Sequence, residues 1–303
     1  MIDLLIIFAN NLLPILLIAG AGFLLGRLLH IDPQPLGKVI FNILYPVMVV
    51  DILTRNHLSS NDIFRTIGYT LCVVVVSGAI AIAAGKAFRF KRPVLMAVLL
   101  TTIFANSGNY GLPLISFAFG EEALAFASIF YITIAFLFNT VGVVIASMGK
   151  LSFKDSLLGM LKVPTMYAII VAFVLIQTGW ILPPPIERTM TLLSTAAIPS
   201  MLILLGLQLQ HAKWNSNIGA LSLSVVIKLV IGPIIGFIFT GLLGIKGSAR
   251  QAGIVDSALP TAVMTTILAS EYDLDPPLVT SIVFITTILS PITMTPVLFL
   301  LGS

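Results

Sequence analysis

Two stretches of this chain hold most of the residues that could do chemistry: Ala105-Asn-Ser-Gly-Asn-Tyr-Gly-Leu-Pro113 and Ala252-Gly-Ile-Val-Asp-Ser-Ala-Leu-Pro260. Each opens on alanine, closes on Leu-Pro and carries polar residues in an otherwise apolar run. Proline lacks an N–H and its ring clashes with the carbonyl one turn back, so Pro113 and Pro260 open the helical ladder. Gly108 and Gly111 lower the cost of unwound backbone. The chemistry on offer is binding. Asn106, Ser107 and Asn109 supply donors and acceptors on one side, and Asp256, Ser257 and Thr261 on the other. Half-helix N-termini carry partial positive charge and suit an anionic group. Aligning the two Leu-Pro pairs sets Asn109 opposite Asp256. A pair of proline kinks with no solute is the plain alternative. Interruption at matching places in two halves points instead to discontinuous helices around a midplane site.

Lys228 is the other unusual residue, deep in an apolar segment, where a cation costs several kcal/mol unless it pairs or faces water. Asp256 on the next segment is the partner the chain itself offers, and an anionic solute is the alternative. A structural ion pair or a snorkelling side chain stays open as well. Asp51, Glu121 and Glu122 fall at segment ends, and Trp180 and Trp214 fit interfacial anchors. His30, His57 and His211 are too scattered for a metal site. No metal and no cofactor are expected, apart from a Na⁺ that Asp256, Thr261 and freed carbonyls could cage.

The elements that position these residues follow from composition. Hydrophobic residues make up 58% of the 303 and charged residues 9%, with a mean hydropathy of +1.10. A soluble domain carries about 25% charged residues, so the solvent for this chain is lipid. The net charge of +4 resides between apolar segments rather than on one face, which speaks against nucleic acid. The single cysteine, Cys72, excludes an internal disulfide. A bilayer core needs roughly 20 apolar residues per helix. On that ruler, spans fall near 4–29, 36–54, 66–88, 93–119 and 122–147, then 157–179, 187–210, 217–243, 250–270 and 277–301. The first reads as part of the fold and not as a cleaved signal. The expected class is an all-α polytopic membrane protein of about ten spans.

Basic residues concentrate after odd-numbered spans, most densely in Lys86–Arg92, which puts those connections in the cytoplasm and both termini outside. Residues 1–148 and 157–303 then form two halves of five spans, joined by a short cytoplasmic connection at 149–156. An odd number per half inserts the halves in opposite orientations. Pro46 and Pro199 recur in spans two and seven at nearly the offset that separates Pro113 from Pro260, as an inverted repeat requires.

The motifs Asn106-Ser-Gly-Asn-Tyr-Gly-Leu-Pro-Leu114, Ala258-Leu-Pro-Thr, Glu271-Tyr-Asp-Leu-Asp-Pro276, Lys228-Leu-Val-Ile-Gly-Pro233 and Leu44-Tyr-Pro46 resemble the auxin efflux carrier family. That family includes plant PIN proteins and bacterial carriers annotated for malate or malonate, and it is related to the bile-acid/sodium symporters. The resemblance covers nearly the whole chain. It implies two inverted repeats of five helices with broken crossover helices four and nine. It also implies a scaffold of spans 1, 2, 6 and 7, with a mobile transport part of spans 3–5 and 8–10 working as an elevator. In plant members an asparagine seven residues before the span-four proline helps hold the substrate carboxylate, and Asn106 matches it. Where they have Gln-Ala-Ala-Leu-Pro-Gln, this chain has Asp256-Ser-Ala-Leu-Pro-Thr261.

The sequence therefore predicts a transporter of a small organic anion, a mono- or dicarboxylate such as malate, malonate or an auxin-like acid, in the plasma (inner) membrane, as a homodimer with H⁺ or Na⁺ coupling. The expected site is Asn106, Ser107, Gly108, Asn109, Gly111, Pro113, Lys228, Asp256, Ser257, Pro260 and Thr261. A Na⁺-coupled symporter of the bile-acid type is the first alternative. A membrane-embedded enzyme ranks lower, since the chain has no cysteine pair, no His pair at i, i+4 and no second deep aspartate, and the broken helices argue against a receptor without flux.

Overall fold

Lipid offers no partner to a backbone N–H or C=O, so an apolar chain pairs those groups within itself. This chain does so as helices: α1 (Asp3–Leu29), α2 (Pro33–Arg55), α3 (Ser60–Ala87), α4 (Arg92–Ile103), α5 (Ser107–Ala146), α6 (Pro164–Thr178), α7 (Pro184–Leu209), α8 (Ile218–Leu242), α9 (Gly247–Ala258), α10 (Thr265–Glu271) and α11 (Pro276–Leu301). The computed structural model describes residues 2–56, 58–147, 164–180, 182–210 and 217–303. The connection at 149–156, the start of span six, His57, His211 and Trp214 lie outside the described residues. Among those described, 7 helices are long and apolar enough to cross a membrane. The protein is an all-helical, multi-pass membrane protein.

Helix starts follow the local chemistry. Asp32 caps α2 by accepting from the Gln34 N–H at 2.9 Å, and Ser59 caps α3 by accepting from the Asp62 N–H at 3.1 Å. Gly120 sits at φ 77, ψ −164 inside α5, a conformation closed to other residues. It bends the chain between the expected fourth and fifth spans. Large apolar side chains such as Leu17, Phe64, Phe173 and Ile292 remain exposed on the outside, as lipid contact allows.

Five π-helical turns interrupt the described helices, at Phe8–Leu12, Ile40–Leu44, Ser107–Gly111, Phe138–Gly142 and Ile227–Ile231. Pro14, Pro46, Pro113 and Pro233 each follow such a turn by two residues. A widened turn relieves the clash between a proline ring and the carbonyl before it. The helix therefore continues past Pro113, where the sequence predicts unwound backbone. The break lies earlier, at 104–106, and Gly108 and Gly111 are helical. In the second half the chain leaves the helix after Ala258 and regains it at Thr265, so Pro260 is inside its break.

The helices pack in two groups. In one, α7 lies along α1 and α2, with α6 against α2. The approach of α1 and α7 is so close that a Cβ on Gly206 would strike the Ala19 carbonyl, and one on Gly22 the Ile203 carbonyl. In the other, α3 packs on α4, α5 and α8 on α9, and α11 on α8 and α9. Two buried apolar clusters hold the molecule together, one around Tyr45, Met48 and Met201, the other around Leu100, Phe104 and Leu278.

Candidate functional site

A break in a buried helix frees N–H and C=O groups that must be paired again. Here the two breaks pair with each other. The Asn106 N–H donates to the Pro260 carbonyl at 2.9 Å, and the Ala262 N–H donates to the Phe104 carbonyl at 3.0 Å. They form an antiparallel bridge between Ala105 and Thr261. The Thr261 hydroxyl donates to the Thr101 carbonyl at 2.7 Å, at the end of α4, and the Thr261 N–H to the Thr286 hydroxyl at 3.2 Å on α11.

Beside this junction is a cavity of about 310 Å³. Asn106, Gly108 and Asn109 line it from the start of α5, Tyr131 and Asn139 from further along α5, and Asn42 from α2. Phe41, Phe138 and Met264 add apolar wall, and among the described residues no charged side chain lines it. Asn106 and Asn109 are 5% and 4% exposed. The Asn106 amide nitrogen and the Asn109 amide oxygen have no partner among the described residues. A buried polar atom without a partner costs about 1–3 kcal/mol, and two in one cavity are what a bound solute would satisfy. The start of α5 also directs its first N–H groups, which have no intrahelical acceptor, toward the break. Asn109 is steadied from the other helix group, its amide nitrogen donating to Gln208 Oε1 on α7 at 3.2 Å.

A second cavity, of about 10 Å³, is bordered by Lys228, Asp256 and Ser257, with Tyr69 and Thr70 from α3. Lys228 is 5% and Asp256 6% exposed. They interact electrostatically but form no ion pair within 4.0 Å. Among the described residues, the one such pair is Arg55 with Asp51 at 2.8 Å, and Arg55 also donates to the Thr191 hydroxyl at 2.8 Å. Ser107 lies beside Asp256, although its hydroxyl has no partner in full hydrogen-bonding geometry. Tyr69 donates to the Gly253 carbonyl at 2.8 Å, tying α3 to α9.

The residues singled out in the sequence thus divide three ways. Asn106, Gly108 and Asn109 line the larger cavity; Lys228, Asp256 and Ser257 line the smaller one; Ser107 stands next to Asp256. Gly111, against whose Cα the Leu259 side chain packs, and Pro113, Pro260 and Thr261 belong to the framework of the breaks. Asn109 and Asp256, aligned in sequence, face different cavities. Sequence reasoning missed Asn42, Tyr131, Asn139 and Gln208. A signal for Asn42 was present: like Asn109, it stands four residues before a proline inside an apolar span.

Residues 146–298, about half of the chain, match the family described as membrane transport protein. The chain belongs to the membrane transport protein family. It is 28% identical to an uncharacterized transporter of Methanocaldococcus jannaschii, over 92% of this chain and 94% of that one. A second uncharacterized transporter, from Methanothermobacter thermautotrophicus, is 26% identical over 93% and 94%. Auxin efflux carrier component 6 of Arabidopsis thaliana is 28% identical over 43% of this chain and 24% of its own length. This supports the resemblance read from the sequence. The protein is a membrane transporter, not an enzyme, and it carries a solute across a lipid bilayer.

Proposed function

We propose that this transporter carries a small organic anion, and that the solute binds in the 310 Å³ cavity beside the two breaks. The observation that carries the proposal is the unpartnered buried amide nitrogen of Asn106, a donor, next to the positive end of α5. The size fits a small molecule. With no charged side chain among the described residues of the lining, one carboxylate can be balanced by amides and a helix terminus far more cheaply than two, so a monocarboxylate fits better than a dicarboxylate.

In this reading the halves 1–148 and 157–303 are inverted repeats, and the breaks are the crossings of helices four and nine. The group α1, α2, α6 and α7 is the static scaffold; α3–α5 and α8–α11 move against it as an elevator. The cavity borders Asn139 and Pro164, next to the connection that charge distribution assigns to the cytoplasm, so the conformation is inward-facing. Both termini are then outside, the membrane is the plasma (inner) membrane, and the protein works as a homodimer. Proton coupling through Asp256 is favoured over Na⁺, because Lys228 already brings a positive charge to that carboxylate.

Purified protein exposed to a panel of carboxylates, followed by thermal unfolding and then by flux in proteoliposomes, tests the assignment. Stabilisation and flux with at least one monocarboxylate is the expected result. No stabilisation by any acid, with flux of some cation or neutral solute, would overturn it.

A further inference from the structure

The asparagines around the larger cavity are not oriented at random. The Asn42 amide nitrogen donates to the Lys38 carbonyl at 2.7 Å, and the Asn139 amide nitrogen to the Ala135 carbonyl at 2.8 Å. A backbone carbonyl can only accept, so these two amides are fixed with nitrogen toward their own helix and oxygen left over. The Asn109 nitrogen is held by Gln208 Oε1 at 3.2 Å, and its oxygen is buried without a donor. Of the asparagine side-chain atoms in the lining, two are buried without a partner among the described residues: the Asn106 amide nitrogen, a donor, and the Asn109 oxygen, an acceptor. The lining therefore keeps one buried acceptor that an anion alone does not satisfy. A bare carboxylate would satisfy Asn106 and leave Asn109 orphaned.

We infer that Gln208 is a specificity-determining positioning residue: by holding the Asn109 amide nitrogen, it keeps the Asn109 oxygen available for a donor on the solute. The cavity then prefers acids that carry a hydroxyl or N–H group near the carboxylate over the same acids without it. This rests on the organic-anion reading above. Gln208 is well placed for such a role. It sits on α7, in the helix group opposite the one that bears Asn109, and borders a separate cavity of about 250 Å³. It reaches Asn109 from behind, without lining the solute cavity itself. Its effect is on orientation, so it should show in the ratio between paired solutes and not in overall affinity.

The test uses the full chain in proteoliposomes with mandelate against phenylacetate and lactate against propionate, pairs that differ by one hydroxyl. Wild-type protein should favour the hydroxylated member by about five- to tenfold in apparent affinity, the range of one neutral hydrogen bond. Gln208→Met, which keeps length but cannot accept from Asn109, should bring the ratio to within about twofold while flux of the plain acid is retained. Gln208→Glu, an acceptor only, should keep the wild-type ratio even where its charge lowers both affinities. Equal affinities in wild type, or an unchanged ratio in Gln208→Met with Gln208→Glu also unchanged, would overturn the inference while leaving anion transport standing. No response to any of the four acids, with none from the wider carboxylate panel, would instead remove the organic-anion reading, and this inference with it.

Discussion

Asn106 meets Pro260 through its backbone, and Asn106's side chain is left out of that contact. The N–H donates to the proline carbonyl at 2.9 Å, whereas the side-chain nitrogen has no partner. Structure and binding are thus assigned to different atoms of one residue, and a side-chain substitution can remove the second while keeping the first.

Asn106→Ala should accordingly fold. Its unfolding temperature should equal or exceed that of wild type, because an orphaned buried donor is removed. Apparent affinity for the transported acid should fall by about tenfold or more, since hydrogen bonds to charged groups contribute about 1.5–3 kcal/mol and 1.4 kcal/mol is a factor of ten. Flux against solute concentration in proteoliposomes measures both arms. A change below twofold would move the site elsewhere.

Lys228 and Asp256 are buried neighbours, so neither tolerates loss of the other well. Lys228→Met alone should destabilise by about 3–5 kcal/mol, the usual result of leaving a buried charge uncompensated. Combining it with Asp256→Asn should recover most of that loss. Chemical unfolding of the two single variants and the double variant in detergent gives the coupling directly. Additive effects would show that the two charges do not sense each other.

Replacing Na⁺ by choline on both sides of the membrane should leave carboxylate flux within about twofold, since Lys228 supplies the positive charge that a bound Na⁺ would bring to Asp256. A steep dependence on the sodium gradient would restore the bile-acid-type reading. Response to a proton gradient, measured in the same vesicles, separates the two couplings.

The seam between α1 and α7 gives a purely structural prediction. Gly206→Ala places a methyl group on the Ala19 carbonyl, and backbone cannot swing aside as a side chain can. A loss of about 1–3 kcal/mol or more is expected. Gly20→Ala, with nothing within 4 Å of the new methyl, should be neutral or gain about 0.5–1 kcal/mol. Thermal unfolding of the pair in one detergent is enough.

What could be read from the sequence was what apolar runs and their interruptions encode. The helical, membrane-spanning character, the pairing of the stretches at 105 and 260, the turn at 120 and the burial of Lys228 all follow from which residues lipid tolerates. The position of the first break did not follow. Pro113 suggested unwinding at the proline, but a widened turn absorbs the ring and the chain unwinds at Phe104–Asn106 instead. Gln208 was invisible for another reason. It meets Asn109 across 99 residues, between two helices whose faces carry no periodic polar signal. Asn139 was hidden among ordinary span residues, since only three-dimensional packing brings it to the cavity that Asn109 lines, whereas Asn42 carried a signal in its place four residues before Pro46.

Each widened turn has a bookkeeping effect on the surface pattern of its helix. It adds one residue to a revolution that normally takes 3.6, so everything downstream is rotated by about 100° from where a helical wheel would draw it. In α2 the shift begins after Leu44 and in α5 after Gly142. A cysteine-accessibility scan of either helix will show its wet stripe jump sideways at those points, and the jump reports local winding, not a second pathway for the solute.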